Sequence, residues 1–526
     1  MKYLFAVTLM VLVFASLGVR FSQPDLATDR PVIYWVTDKN PARELQVKRF
    51  HEWLLSEGHV DQNGHPVVEL RLDMGNNEDA KKVIQSVSGV ASDLMDTSGQ
   101  SMRLLQAMGV LTDITEDAQT MGFGPENTYP TIASDLMVSG RQYRFPANLG
   151  IQMMWVNPAL LRRYGLEPPE TSWTWDEFER LGVAFKEAAN PPGTHPTQRK
   201  FIASGINAIV MDLTNGVDAL NETLTASALD DPRYVESLET RKRWVYDLNI
   251  LPTPDDVAAA SSEQGYGGSA LQLFGREQYA MFPGGRYMLI QLRRFGHLQE
   301  LAVVEPPHND FRATRIATRA VVLYTGSQHP ELAKLFLAFL ASESYNQTIV
   351  EDADALPPNP KFTRSEAFRN PTTYPREHGL HEIFTDTAAT IAVTESFSPF
   401  ILPSVVMRER NDGDQAYMND RLTAEEAARQ SARNIDREIL AELERKPDLQ
   451  AAYAQAAARQ AIIDELKASG QRLPEAWVTN PVLRAYYESR DMLTSETPPE
   501  PEPIALPFDD EAGEKTLPTK SAEVVG

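Results

Sequence analysis

The sequence predicts a layered α/β protein built from several domain-sized units. Between Pro31 and about Thr325, short β-branched or apolar runs alternate with amphipathic helical stretches. Apolar residues make up 42% of the 526 residues against 23% charged, enough hydrophobic material for large cores. At about 150 residues per domain, the length accommodates roughly three to four units.

The elements follow in order. Lys2, the 17-residue apolar stretch Tyr3 to Val19, and Arg20 read as an export element. That length fits both a cleaved signal and a retained membrane anchor. Val32 to Val36 reads as the first strand, after which Asn40-Pro41 opens a helix that ends at Gly58 and carries Phe50, Trp53 and Leu54 on one face. Val67 to Leu72 is the second strand, Asn76 to Val90 a helix, and Ser92 to Asp96 a short strand running into a polar turn. Tyr143 to Asn157 reads as two extended runs joined at Asn148-Leu149-Gly150. Thr174 and Glu177 form a capping box with Trp173 and Phe178 as a hydrophobic staple, so Trp173 is structural. The helix from Pro330 places Leu332, Leu335, Phe336, Phe339 and Leu340 on a core face. A second capping box, Thr423 with Glu426, opens a helix carrying Ala427, Ile435, Ile439 and Leu443. Two further helices are expected, over Leu449 to Leu466 and Asn480 to Met492. From Glu496 to Gly526 the chain is Pro-rich, with eight acidic residues against two lysines, and reads as a disordered tail.

Composition removes whole classes of function. With 50 Lys plus Arg against 73 Asp plus Glu, the net charge is −23, which repels a phosphate backbone and argues against nucleic acid. Cysteine is absent, and with it disulfides, thiolate catalysis and thiolate metal sites. His378 and His381 belong to no compact ligand cluster, and Asn411-Asp412-Gly413-Asp414 reads as a solvated turn because its glycine is misplaced for a calcium loop. No nucleophile elbow, phosphate-binding loop or dinucleotide fingerprint occurs, so no metal or cofactor is expected.

Large aromatics stand beside polar residues at the expected strand ends: Trp35 before Asp38, Asp96 before Thr97-Ser98-Gly99, Phe145 before Asn148, and Tyr287 after Arg286. Ligands of open α/β sheets bind outside the carboxyl ends of the strands. Sugars suit such a wall, since their C–H faces pack on rings and their hydroxyls need planar donors and acceptors.

These residues carry a family resemblance. Ile33-Tyr34-Trp35 with Asp38-Lys39, Asp93 to Asp96, Gly109 to Ile114, Tyr143 to Pro146, Trp155 to Leu161 with Gly165 to Pro169, Thr174 to Phe178, Ala280 to Tyr287, His329 to Ala333 and Leu422 to Ala427 stand in one order. In that order they resemble the extracellular solute-binding proteins of bacterial ABC importers, specifically the carbohydrate-binding, maltodextrin-binding-protein-like group. The resemblance covers about Pro31 to Leu443. It implies two α/β lobes joined by a hinge that the chain crosses more than once, with ligand held in the cleft. The implied layout is an export or anchor segment over 1–29, lobe 1 over 30–145 and 302–355, lobe 2 over 146–301 and 356–443, a helical extension over 444–495, and the tail.

By position, the resemblance assigns Trp35, Asp38, Asp96 and Asn148 to the ligand, with Tyr287 where the family often has a stacking tryptophan. Arg286 precedes it in place of a small residue or proline, and Phe400 comes from the segment before the last family helix. Trp35 and Tyr287 are expected to face each other across the cleft. The implied protein is a non-enzymatic, monomeric receptor, exported to the periplasm or the extracellular face, either free or tethered by the N-terminal helix, that captures a carbohydrate and passes it to the importer's permease subunits. A membrane-anchored sugar sensor and a secreted carbohydrate-active enzyme are the alternatives. The sequence departs from the family in lacking a lipid-anchoring cysteine and in carrying about eighty residues beyond Leu443.

Overall fold

The apolar run Val32–Val36 forms strand β1, and Asn40 starts helix α1 (Ala42–Ser56) by accepting the Ala42 N–H at 2.9 Å. These elements come from a computed structural model, which describes residues 30–506 apart from 261–267, 297 and 299. The expected export segment lies outside the described residues, as do residues 507–526. Strand β2 (Glu69–Asp73) pairs parallel with β1. Helix α2 (Asp79–Val87), strand β3 (Leu94–Thr97) and helix α3 (Gly99–Ala107) follow, and Ser98 caps α3 by accepting the Ser101 N–H.

Strand β4 (Phe145–Ile151) belongs to this first sheet, and after Gln152 strand β5 (Met153–Val156) enters a second one. Helix α4 (Trp175–Ala189) starts at the expected Thr174–Glu177 capping box, and Trp173 is buried, donating its indole N–H to the Glu305 carbonyl at 2.9 Å. The second lobe continues with β6 (Phe201–Ala203), α5 (Ala208–Thr214), α6 (Pro232–Lys242), β7 (Tyr279–Gly284) and β8 (Ala302–Val304). Strand β9 (Thr314–Leu323) returns to the first sheet, followed by α7 (Pro330–Ala341), α8 (Glu343–Asp352) and the short β10 (Ala392–Val393). Helices α9 (Pro403–Met418), α10 (Ala424–Arg445), α11 (Gln450–Ala468) and α12 (Pro481–Ser489) close the chain.

The first sheet has the order β10-β9-β3-β1-β2 with β4 also on β9, and the second the order β8-β5-β7-β6. One core joins Trp35, Phe50, Phe336 and Phe339 beneath the first sheet, and another joins Trp173, Trp175, Phe178 and Trp244 against the second. A third lies where the chain crosses, combining Leu149, Ile151 and Ile316 of the first sheet with Trp155 and Phe282 of the second and Phe384 of the helix Leu380–Thr390. The chain therefore changes sheet at about residue 152 and between β8 and β9, so residues 146–151 belong with the first sheet and 302–304 with the second. This corrects the expected crossings at 145 and 301. Asn148-Leu149-Gly150 is no break: β4 runs straight through it because each residue pairs with β9.

Two other expectations are revised, and the extension finds its place. Asn411 to Asp414 lies inside α9, not in a turn, because Gly413 is where α9 crosses α10: a Cβ there would meet the Ser431 hydroxyl. The extension is docked mainly on the second lobe, with Tyr453 of α11 edge-on to Phe400 at 5.1 Å and Val482 of α12 packed with Leu213, Phe311 and also Val393 of β10, which pairs in the first sheet although 356–443 was expected in lobe 2. Residues 496–506, expected to be disordered, have no regular structure but are tied down. Glu500 pairs with Arg459 at 2.8 Å, the Ile504 N–H reaches the Ala454 carbonyl at 3.3 Å, and Leu506 is buried.

Candidate functional site

Strand ends and α-helix starts of the first sheet surround a polar cavity of about 440 Å³ that includes Tyr287 from the second lobe. Its floor is β9, where Arg315, Ala317 and Arg319 alternate with the buried Thr314, Ile316 and Thr318, so one face of the strand is open to the cleft. Four carboxylates and three cations line this cavity, namely Asp38, Asp79, Asp96 and Asp354 with Arg43, Lys82 and Arg319.

Every one of these carboxylates has an internal cation. Arg43 reaches Asp38 at 2.7 Å and Asp354 at 2.5 Å, Arg319 reaches Asp96 at 3.1 Å, and Lys82 reaches Asp79 at 3.3 Å. Asp354 also accepts from Gln46 at 2.9 Å and from Asn40 at 3.2 Å. Burial alone would raise its carboxyl, yet Arg43 and Arg319 hold it below the ordinary carboxylate value. At Arg43 burial opposes the charge, and Asp354 and Asp38 outweigh it. Left-handed backbone at Ala353 (φ 59°) and Ala355 (φ 66°) flanks Asp354 at the end of α8, which turns this carboxylate back toward α1. Thr97 Oγ1, Thr318 Oγ1, Arg319 Nε and Asn77 Oδ1 have no hydrogen-bond partner, although their residues line the cavity.

The residues singled out from sequence are distributed unevenly. Asp38, Asp96, Asn148 and Tyr287 meet on this cavity. Asn148 donates to the Asp354 carbonyl at 3.0 Å, and the Tyr287 ring lies against Gly150, where a Cβ would stand 3.9 Å from it. Burial raises the Tyr287 hydroxyl pKa. Trp35 is not on the wall. It is 0% exposed, packs 4.8 Å from the Phe336 ring, and donates its indole N–H to Asp96 at 2.8 Å, so it fixes a cavity carboxylate from behind.

Arg286 is not on the wall either. It is 1% exposed and donates to the carbonyls of Ile349, Val350 and Ala355 and to His381 Nδ1, capping the end of α8 from the second lobe. Phe400 is core, because α11 covers it.

A second cavity, of about 190 Å³, lies beside the first. Gln100 of α3 and Arg315 of β9 line it, next to Ser98 and Ala317 of the polar cavity, and Val482 of the extension forms part of its wall. Phe397 closes it toward the first lobe, with the Arg103 guanidinium 5.7 Å from its ring centre. Sequence reasoning missed Arg43, Lys82, Arg319 and Asp354 in the polar half and Phe397 and Met407 in this one. The Thr-Arg-Ile-Ala-Thr-Arg alternation of β9 was a readable signal for Arg315 and Arg319; nothing local marks Asp354. Among the described residues no group of three or more His, Asp and Glu side chains could hold a metal ion.

A family model for bacterial extracellular solute-binding proteins matches residues 65–347. No curated protein matches the sequence. Among solved structures, an ABC substrate-binding protein from Listeria monocytogenes in complex with cycloalternan superposes with a TM-score of 0.62 at 20% identity, over 78% of this chain and 99% of that one. An ABC transporter solute-binding protein from Thermotoga lettingae bound with α-D-tagatose gives 0.61 at 17% identity, over 78% and 100%. The sugar-binding protein MalE from Xanthomonas citri gives 0.60 at 14%, over 78% and 97%. At these identities the likeness is one of fold, and it agrees with two α/β lobes around a cleft.

Proposed function

The chain belongs to the bacterial extracellular solute-binding proteins, and from that premise we propose that it captures a neutral carbohydrate between its lobes and delivers it to the membrane permease of an ABC importer. The observation that supports this most is the charge pairing of the polar cavity. Four carboxylates share three cations, Arg43 serving both Asp38 and Asp354, so every carboxylate is paired, the lining carries one net negative charge, and no cation in it is left free to hold an anionic ligand. Hydroxyl-rich ligands use such groups, and Asp38, Asn148 and Tyr287 are the side chains we assign to them.

The same pairing favours a receptor over a hydrolase: with Asp38, Asp96 and Asp354 each held by arginine, none is placed as a general acid. The ligand acts by differential binding. It favours the closed arrangement only through contacts with both lobes, here Tyr287 against the first-lobe groups, and the permease reads that state. No helix among the described residues is long and apolar enough to cross a membrane. We assign outward placement to the segment before Arg30.

A thermal-shift screen tests the reading. Neutral mono- and oligosaccharides, amino acids and organic acids are added to the purified protein, and a ligand at about 100 times its dissociation constant should add about 2.7 kcal/mol of stability. At least one neutral sugar should raise the melting temperature. A screen in which only charged solutes do so refutes the assignment.

A further inference from the structure

We propose that the physiological ligand is amphipathic: a glycoside whose sugar sits in the polar cavity and whose apolar aglycone enters the second cavity. This rests on the carbohydrate reading above and adds the chemical class of the ligand. The second cavity differs in kind from the first. Leu213, Val217, Val393, Ile401, Met407 and Phe397 contribute to its wall, and the first four of these are buried. Aliphatic side chains with one methionine and one ring edge do not offer the flat platforms and planar hydrogen-bonding groups that a second sugar unit needs. They match an alkyl or acyl chain, for which methionine is an adaptable contact. Four of the five charged residues around this cavity are engaged with one another, Asp212 with Arg410 at 2.5 Å and Arg315 with Glu395, while Asp218 accepts from Ser396 at 2.6 Å and Asn480 at 2.8 Å.

The two cavities are separate neighbours that share no lining residue but adjoin along β9 and at the start of α3. Arg315 faces the apolar cavity and Ala317, two residues on and on the same face of β9, faces the polar one. Across the cleft, Ser98 and Gln100 make the same step at the start of α3. The proposed ligand spans this short step, its sugar on the Ser98 and Ala317 side and its chain on the Gln100 and Arg315 side. The second cavity is also built partly by Val482, from the extension that the family pattern does not include.

Calorimetry on the full chain tests this with matched pairs: methyl and n-octyl β-glycosides of glucose, galactose, mannose, maltose and cellobiose, all below their micelle concentrations. For at least one sugar the octyl glycoside should bind about tenfold or more tighter than its methyl partner. Met407 is 37% exposed, so Met407→Asp should fold and should reduce that ratio to about threefold or less. Methyl glycosides that bind with no octyl gain overturn the amphipathic ligand and leave the carbohydrate reading standing. A gain that persists in Met407→Asp also overturns it, since the chain then lies elsewhere. Absence of binding by every member of the series overturns both.

Discussion

Asp354 is buried between Arg43 and Arg319, with no local pattern in the sequence to announce it, because its partners lie more than three hundred residues away on α1 or across the sheet on β9. Asp354→Ala leaves Arg43 and Arg319 crowded around a missing charge and should cost about 3 to 5 kcal/mol in urea denaturation; a loss under about 1 kcal/mol would show that Asp38 and Asp96 suffice for both arginines. Trp35 shows the opposite limit of sequence reasoning. Its position at a strand end beside polar residues was visible, but the alternation of β1 allows either face, and the packing of Phe336 takes the ring into the core. Trp35→Ala should therefore destabilise the ligand-free protein by about 3 to 5 kcal/mol. A variant with unchanged ligand-free melting would return the ring to the cleft. His381 gives a pH dependence. Burial pushes its pKa down to about 4 against the pull of Glu377, and the hydrogen bond from Arg286 to Nδ1 keeps the ring neutral. The unfolded chain takes up that proton near 6.5, so this contribution is complete above about pH 6.5 and falls away by about 1.4 kcal/mol per pH unit as pH drops toward 4. Glu377, which burial would raise but Arg293 and His381 hold at about 2, adds stability that is present above about pH 4.5 and lost below it. Denaturation between pH 7.5 and 5 should show the upper slope in the wild type and lose it in His381→Gln; an unchanged slope assigns it to other groups.

Helices and strands with a local signature were the most legible elements. Both capping boxes form as read, at Thr174 and Thr423, since the partners lie three residues apart and need no tertiary help. Helix α9 was misread at Asn411 to Asp414 because Asn, Asp and Gly favour turns locally, while the contact that decides is with α10. Gly413→Val puts a side chain into the Ser431 hydroxyl and the Ala427 carbonyl and should cost about 1 to 3 kcal/mol. Gly413→Val melting within a degree of wild type would mean that the two helices can part without loss. The same neighbourhood explains the choice of Phe400. The segment before the last family helix does place a ring at the cleft, but it is Phe397, since α11 lies over Phe400 and takes it from solvent. No signal before Leu443 foretells that cover, because it comes from the extension itself.

As a whole molecule the protein is two α/β sheets sharing a core where the chain crosses, with the extension locked to the second lobe through a buried carboxylate. Glu222 accepts from Lys467 at 2.7 Å, from Tyr487 at 2.6 Å and from Gln460 at 2.7 Å, and Asn480 ties α12 to Asp218 at 2.8 Å. The layered class and the order of the lobes were legible because periodicity is local and the quoted pieces stand in one order. The sheet crossings were misplaced because the local sequence of β4 and β8 does not say which sheet pairs them; that is decided by long-range partners, β9 for β4 and β5 for β8. The central claim is that Tyr287 and Asp38 hold a neutral sugar from opposite lobes. The direct measurement is calorimetry of the best neutral sugar from the thermal-shift screen on wild type, Tyr287→Ala and Asp38→Ala, alongside ligand-free melting of each. The account predicts an affinity loss of about tenfold or more in each variant, with both still folding cooperatively. Wild-type affinity in both would place the sugar outside this cleft and contradict the account.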